Sequence, residues 1–312
     1  FANYLVDFGL VYRENGEVMN PYKSVKDHGA NIVRLQLDRV AFPEYNGVTI
    51  DWQQWERVVE DAKCAKAEGL DIMLTLKPDY DKYTATNATH NNIPEDWKTI
   101  VEYLCEAYDL SLGQVGIVTG PSHAEEVALE RLSYLTVVCT EHENALKLGE
   151  HFATNYVKLS YSTDLYGVEY ASVLKNIYAL AVGIASGLGY GDNFLAVLIS
   201  NCAMEMSRFL NESAPDERNT LASAYLGDLL VTCYSVYSRN RRLGNLIGRG
   251  CSVKSALNEM TMVAEGYFAA DCIRHVNRTH QIDMPIAEMV YQVLYKGASA
   301  RKSMKNLTSK LI

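Results

Sequence analysis

At 312 residues, 48% hydrophobic and 21% charged, the chain has the make-up of an ordinary globular protein with room for two cores, which excludes a disordered or fibrous reading. Its formal net charge of −9 is uneven: residues 1–110 carry 11 Lys+Arg against 19 Asp+Glu, the remainder 18 against 19. An acidic front and a nearly neutral rest are a poor footprint for nucleic acid, so no nucleic-acid partner is expected.

The first part reads as three strand–helix units. Tyr4–Phe8, Asn31–Leu37 and Asp71–Leu76 are apolar runs of strand length, and Pro21–His28, Trp52–Glu68 and Pro94–Ala107 have helical spacing. Trp55, Val58, Val59, Ala62 and Ala65 form the stripe of the second helix, which Gly69 ends as a C-terminal cap. Such alternation predicts parallel βα units, arranged as a partial barrel or an open sheet. A second set of parallel strands is expected at Val115–Thr119, Leu135–Val138 and Tyr156–Leu159, around helices Ala124–Glu130 and His142–Ala153. From about Ser162 strand signals stop. Asp164 is placed to cap a helix running through Glu169, Lys175 and Ala179, and apolar-periodic runs follow near Phe194–Phe209, Thr220–Tyr234, Val253–Met260, Glu265–Asn277 and Pro285–Leu294. Glycine-rich breaks at Gly187–Gly191 and Gly244–Gly250 separate them. The expected fold class is therefore an α/β N-terminal part followed by an all-α C-terminal domain, with divisions at residues 1–110, 111–161 and 162–312.

No apolar run reaches the roughly 18 residues of a membrane span. Ile177–Leu188 comes nearest and reads as a core helix. The seven cysteines include no CxxC pair, which favours a reducing compartment and a cytoplasmic location. The seven histidines show neither HxH nor HExxH, and no metal is expected. The chain opens on Phe1 and so reads as starting inside a longer product, with any targeting segment ahead of it.

The chemistry concentrates between Gly120 and Gly250. Lys175 lies in ASVLKNIYALAVGIASGL, where nearly every neighbour is apolar or small. An unpaired ammonium there is costly, so it either snorkels to solvent or reaches into a pocket, where it suits proton transfer. Asp228, in AYLGDLLVT, is a helix cap or, if it faces Lys175, the group that orients the amine. Ser238-Arg239-Asn240-Arg241-Arg242 is a solvated basic loop or an anion site, because guanidinium forks suit bidentate phosphate binding and Asn240 adds a neutral donor. Gly120-Pro121-Ser122 joins a strand to a helix, where free backbone N–H groups favour an anion.

Residues 1–105, through GLVYRENGEVMNPYKSVKDHGANIVRLQLD, ERVVEDAKCAKAEGLDIML and IPEDW, resemble the opening of the arabinogalactan endo-β-1,4-galactanases, glycoside hydrolases built on a (β/α)8 barrel. That resemblance places Arg34 near a sugar pocket. Hydrolysis needs two facing carboxylates, and Asp38 and Asp79, at strand ends, are either such groups or loop and cap carboxylates. Lys77-Pro78-Asp79-Tyr80 stands where those enzymes present a histidine-containing segment.

From about Gly113 onward, TGPSHAEE, GVEYASVLKN, AYLGDLLVTCYS, SRNRRLG and MVAEGY together resemble the NAD(P)-dependent glycerol-3-phosphate dehydrogenases. The resemblance implies hydride transfer between sn-glycerol 3-phosphate and dihydroxyacetone phosphate, with NAD or NADP as cofactor and Lys175 as proton donor and acceptor. It implies that Gly120, Ser122, Asp228, Thr232, Ser238, Arg239 and Asn240 surround the small phosphorylated substrate, and that Ala124, Arg239 and Glu265 contact the cofactor. It also implies a homodimer through the helical domain. Those enzymes open on a GxGxxG turn that brings the backbone to the pyrophosphate; here the first strand runs into Gly9-Leu10-Val11-Tyr12. The chain thus reads as a fusion of two families: a dehydrogenase lacking its glycine-rich half, with a galactanase-like glycoside hydrolase fragment or an inactive fusion as alternatives.

Overall fold

In this computed structural model the described residues are 109–260 and 263–312, preceded by residues 13–14, 17–18, 27, 32–38, 63–69, 71–77, 99, 101–102 and 105–106. The chain forms two compact units, Phe1–Glu95 and Asp96–Ile312.

In the first unit, β1 (Arg13–Glu14) and β2 (Glu17–Val18) pair antiparallel, with Arg13 opposite Val18. This hairpin was not expected, although Asn15-Gly16 between the strands is a strong hairpin signal. Next, β3 (Ile32–Asp38) and β4 (Asp71–Lys77) lie parallel, in register from Ile32 opposite Asp71 to Asp38 opposite Lys77. The crossover between them includes a helical stretch at 63–67 that ends at Gly69, whose φ of +70° is the left-handed cap the sequence predicts. Ala65, from the expected stripe, is fully buried. Parallel pairing through a helical crossover is the βα geometry expected of this part. Tyr4–Phe8 and Asp79 lie outside the described residues, and of Pro21–His28 only Asp27 is described, as helical.

The second unit opens with a reciprocal pair of hydrogen bonds that marks a helix start: Thr99 N donates to Glu102 Oε2 at 2.8 Å and Glu102 N to Thr99 Oγ1 at 3.2 Å. A three-stranded sheet follows in the order β5 (Ile117–Thr119), β6 (Ser133–Val138), β7 (Val157–Ser162). The expectation of parallel strands holds for β6 and β7 and is corrected for β5, which runs antiparallel to β6. The reason lies in the link. Its helix α1 (Ala124–Val127) is one turn of four residues, too short to carry the chain back along the sheet, whereas α2 (His142–Gly149) serves the parallel crossover from β6 to β7.

Beyond β7 the unit is helical: α3 (Leu165–Gly187), α4 (Asp192–Ser213), a π-turn at Ser223–Gly227, α5 (Asp228–Tyr234), α6 (Arg239–Gly248), α7 (Val253–Glu259), α8 (Gly266–His280), α9 (Pro285–Tyr295) and α10 (Ala300–Thr308). The expected short core helix is the C-terminal half of the 23-residue α3. By length and apolar composition α3 could cross a membrane, yet 67% of its most apolar window is buried inside the protein. Leu174, Ile177, Tyr178, Leu180 and Ile184 are fully buried, so α3 is apolar nearly all round because other helices surround it. Each such side chain stabilises the fold by about 1.5–3 kcal/mol relative to exposure.

Two sequence devices seat α3. At its start Asp164 accepts from Gly167 N at 3.0 Å, as expected of the N-cap, and also holds the guanidinium of Arg218, through Nε at 2.6 Å and Nη2 at 3.1 Å, and the hydroxyl of Tyr225. At its end Gly183 and Gly187 face Gly244 and Gly248 of α6: a Cβ on Gly183 would lie 2.2 Å from Arg241 O, and one on Gly244 2.2 Å from Leu180 O. The expected break at Gly244–Gly250 is thereby corrected. Gly244 and Gly248 are inside α6, where they allow two backbones to touch, and the chain turns only at Gly250, with φ +106°.

Candidate functional site

Of the side chains singled out by the sequence, Lys175, Asp228, Arg239, Asn240 and Glu265 come together where β5, α3, α5, α6 and the start of α8 meet. At the centre Lys175 Nζ donates to Asp228 Oδ2 at 2.5 Å. Of the two readings of Lys175, the structure takes the inward one, with its side chain 20% exposed against 4% for Asp228. Asp228 opens α5, directly after the π-turn, a short irregular helix of the kind that re-aims a residue. Water hardly reaches its carboxylate, so the ammonium is an obligatory partner rather than a passing surface ion pair.

Asn176, next along α3, ties this pair to the basic cluster. Its Oδ1 accepts from Asn240 Nδ2 at 2.9 Å, and its Nδ2 donates to Glu265 Oε2 at 3.4 Å. Glu265 in turn pairs with Arg239, Nη2 to Oε1, at 3.5 Å. Asn240 also accepts from Gly266 N at 2.8 Å and thereby pins the first turn of α8 against α6. Much of its amide is therefore spent on the scaffold. Arg239 is the freer group, its side chain 40% exposed.

The basic cluster is not a loop. Ser238 caps α6, its Oγ accepting from Arg241 N at 3.3 Å, and Arg239, Asn240, Arg241 and Arg242 form the first turn of this ten-residue helix. Cations there oppose the helix dipole, with no acidic residue in that turn to offset them. A doubly charged anion would relieve both terms at once.

On the other side, Gly120 follows β5 with φ +127°, and a Cβ there would lie 2.6 Å from Tyr134 O. Only glycine fits. Ser122 Oγ donates back to Gly120 O at 3.1 Å. The helix expected after this turn is only α1, whose single turn carries little of the dipole on which an anion site depends. Ala124 is its first residue. Thr232 Oγ1 donates to Asp228 O at 2.6 Å, one turn back on α5, and keeps its lone pairs for a further donor.

Sequence reasoning missed four contacts. Asn176 bridges Asn240 and Glu265, and Thr119 Oγ1 lies 3.3 Å from both Asp228 Oδ2 and Ser172 Oγ. Only adjacency gave a signal: Asn176 follows Lys175, and Thr119 precedes Gly120. Among the described residues no three His, Cys, Asp or Glu side chains group as metal ligands.

Comparison with known proteins matches separate stretches of the chain to two families. Residues 164–305 match the family model for the C-terminus of NAD-dependent glycerol-3-phosphate dehydrogenase, and residues 3–109 match glycosyl hydrolase family 53. Glycerol-3-phosphate dehydrogenase [NAD(P)+] of Macrococcus caseolyticus is 37% identical over 218 residues, 70% of this chain and 66% of that protein. The enzyme of the same name from Oceanobacillus iheyensis is 34% identical over 229 residues, 73% of this chain and 67% of that protein. The chain spans about two thirds or less of the length of the curated relatives it matches. Among solved structures, glycerol-3-phosphate dehydrogenase from Coxiella burnetii shares the fold, with a TM-score of 0.66 at 24% identity, covering 93% of this chain and 79% of that one.

Proposed function

Since the chain belongs, through its helical part, to the NAD(P)-dependent glycerol-3-phosphate dehydrogenase family, we propose that its site interconverts dihydroxyacetone phosphate and sn-glycerol 3-phosphate. The observation that carries this reading is the 2.5 Å pair of Lys175 and Asp228, linked through Asn176 to an arginine-rich helix start. In the reduction, Arg239 and the first turn of α6 hold the phosphate, and Lys175 gives a proton from Nζ to the oxygen of the former carbonyl. Asp228 keeps the lysine aimed at that oxygen, and in the reverse direction Lys175 takes the hydroxyl proton back. Gly120, Ser122, Thr232 and Ser238 complete the substrate's surroundings.

A nicotinamide dinucleotide, NAD or NADP, when bound, supplies or removes the hydride. Glu265, 54% exposed in its side chain, and Arg239 fit its nicotinamide end, as does the backbone at Ala124. The sequence holds no GxGxxG turn for its pyrophosphate. We place the end of a nucleotide domain in residues 111–161 and the substrate domain in 162–312, with pairing of two copies through the helical part. All seven cysteines are free thiols, which supports a cytoplasmic location.

A second reading, a fragment of a glycan-cleaving enzyme, is favoured only by the match of residues 3–109 to glycosyl hydrolase family 53. At the ends of β3 and β4 the register places Asp38 opposite Lys77, while Asp79 lies outside the described residues. The test is calorimetric titration with NADH, with and without dihydroxyacetone phosphate, followed by turnover. The expected outcome is binding and turnover, with turnover abolished in Lys175→Ala and phosphate affinity lost in Arg239→Ala. Absence of both nucleotide binding and turnover would sink the dehydrogenase reading.

A further inference from the structure

Thr119 ends β5 with its hydroxyl 3.3 Å from Asp228 Oδ2 and 3.3 Å from Ser172 Oγ. A threonine has one hydroxyl proton, so it donates to only one of them. Donation to the carboxylate leaves Thr119 Oγ1 to accept from Ser172, and the path runs Ser172 to Thr119 to Asp228. It ends on Oδ2, the oxygen that also accepts from Lys175 Nζ. Ser172 stands three residues before Lys175, on the same face of α3. With Asp228 only 3% exposed, protein donors rather than water decide how its charge is shared.

We propose that Thr119 is a positioning residue for the Lys175–Asp228 pair, its hydroxyl sharing Oδ2 with the ammonium and so setting how firmly the carboxylate holds the lysine's proton. This rests on the reading of Lys175 as the proton donor. The hydroxyl draws electron density from Oδ2 and fixes the carboxylate plane between β5 and α3. Without it the carboxylate has one donor fewer to satisfy it and grips the ammonium more tightly, which hinders proton release. Strand β5 thereby tunes an amine on a different element.

The test needs no turnover. Only the unprotonated amine reacts with an N-hydroxysuccinimide ester, so the rate of Lys175 acetylation at fixed pH, read by peptide mass spectrometry on the full chain, reports the grip directly. Valine keeps the shape and β-branching of threonine, so Thr119→Val preserves the strand. It is expected to slow acetylation of Lys175 by about two- to threefold, the change carried by one hydrogen bond at the weak end of the usual range, as its 3.3 Å length implies. Exposed Lys302 and Lys310 should react as before, and Thr119→Ser should restore the Lys175 rate. Ser172→Ala, which removes the donor behind Thr119 from a helix that accepts alanine, should act in the same direction, and it carries the test if the valine variant does not fold. An unchanged Lys175 rate, a slowing shared by Lys302 and Lys310, or a serine variant that stays slow overturns the proposal. Absence of turnover in the unaltered chain, with the acetylation pattern as expected, counts against the dehydrogenase reading instead.

Discussion

Lys175 and Asp228 need each other for stability as much as for chemistry. Removing the lysine leaves a carboxylate that is 4% exposed without its 2.5 Å partner, while removing the carboxylate leaves an ammonium that can still turn toward solvent. Lys175→Ala is therefore expected to destabilise the fold more than Asp228→Asn, by roughly 1–3 kcal/mol once its partial exposure is discounted. The double variant should recover most of that loss. A double-mutant cycle of urea unfolding measures the coupling, and simple additivity would show the pair to be independent. At this scale the sequence was informative wherever a residue was anomalous. A lysine amid apolar neighbours and an aspartate ahead of an apolar run stand out, because burying a charge without a partner is expensive. Thr119, Ser172 and Asn176 did not stand out. Hydroxyls and amides are common and cheap at partly buried positions, so only the structure shows that theirs face the pair.

The elements were legible where burial wrote a period into the chain. Helix α3 and most of the helices after it follow apolar spacing, and Asp164 marks the start of α3 as read. Helices α6 and α10 were missed because their polar, basic sequences carry few apolar residues to count. Ser238 and Ser299 cap them, with side chains that accept from Arg241 N and Lys302 N, and those serines were the available signal. Gly244 shows how one residue type can mislead: glycine marks a turn when φ must be positive and a close contact when another backbone is adjacent. The two uses predict opposite results of substitution. Gly244→Ala gains helix propensity of about 1 kcal/mol, yet its methyl would sit 2.2 Å from Leu180 O, backbone that cannot swing away. Net destabilisation of about 2–3 kcal/mol is expected, the cost of forcing a packed contact apart. Gly191→Ser places a better N-cap on α4 where a Cβ meets nothing within 4 Å, and should be neutral or gain a few tenths of a kcal/mol. Thermal unfolding of the two variants side by side checks this, and a Gly244→Ala protein as stable as the parent would refute the close-contact reading.

Across the whole molecule, the division into an α/β front and a helical remainder could be read from where strand signals stop. The direction of β5 could not, because alternating strands and helices look the same whichever way a short strand runs. Two buried carboxylates that link distant elements set the pH range of stability, with opposite signs. Burial alone would raise Asp164, but Arg218, Tyr225 and Gly167 together hold it below its ordinary value, so its contribution is present above the unfolded value and lost as acid titrates the native carboxylate. Glu205 is the reverse case. It accepts from Ile286 N at 2.8 Å and Ala287 N at 2.9 Å at the start of α9, and these bonds favour its charge, but burial prevails and pushes it up to about 7 from 4.5. Its contribution is thus full below about pH 4.5 and declines as pH rises through about 7, by an amount on the order of 3 kcal/mol. The net charge of −9 also lowers stability toward alkaline pH through self-repulsion, so the bare melting curve mixes two causes. Glu205→Gln separates them, since glutamine cannot ionise and the general repulsion changes little. The stability difference between parent and variant should shrink steadily between about pH 5 and pH 8. A difference that stays flat across that window would mean that Glu205 is already ionised at pH 5, held so by the two N–H groups of α9 against the cost of its burial.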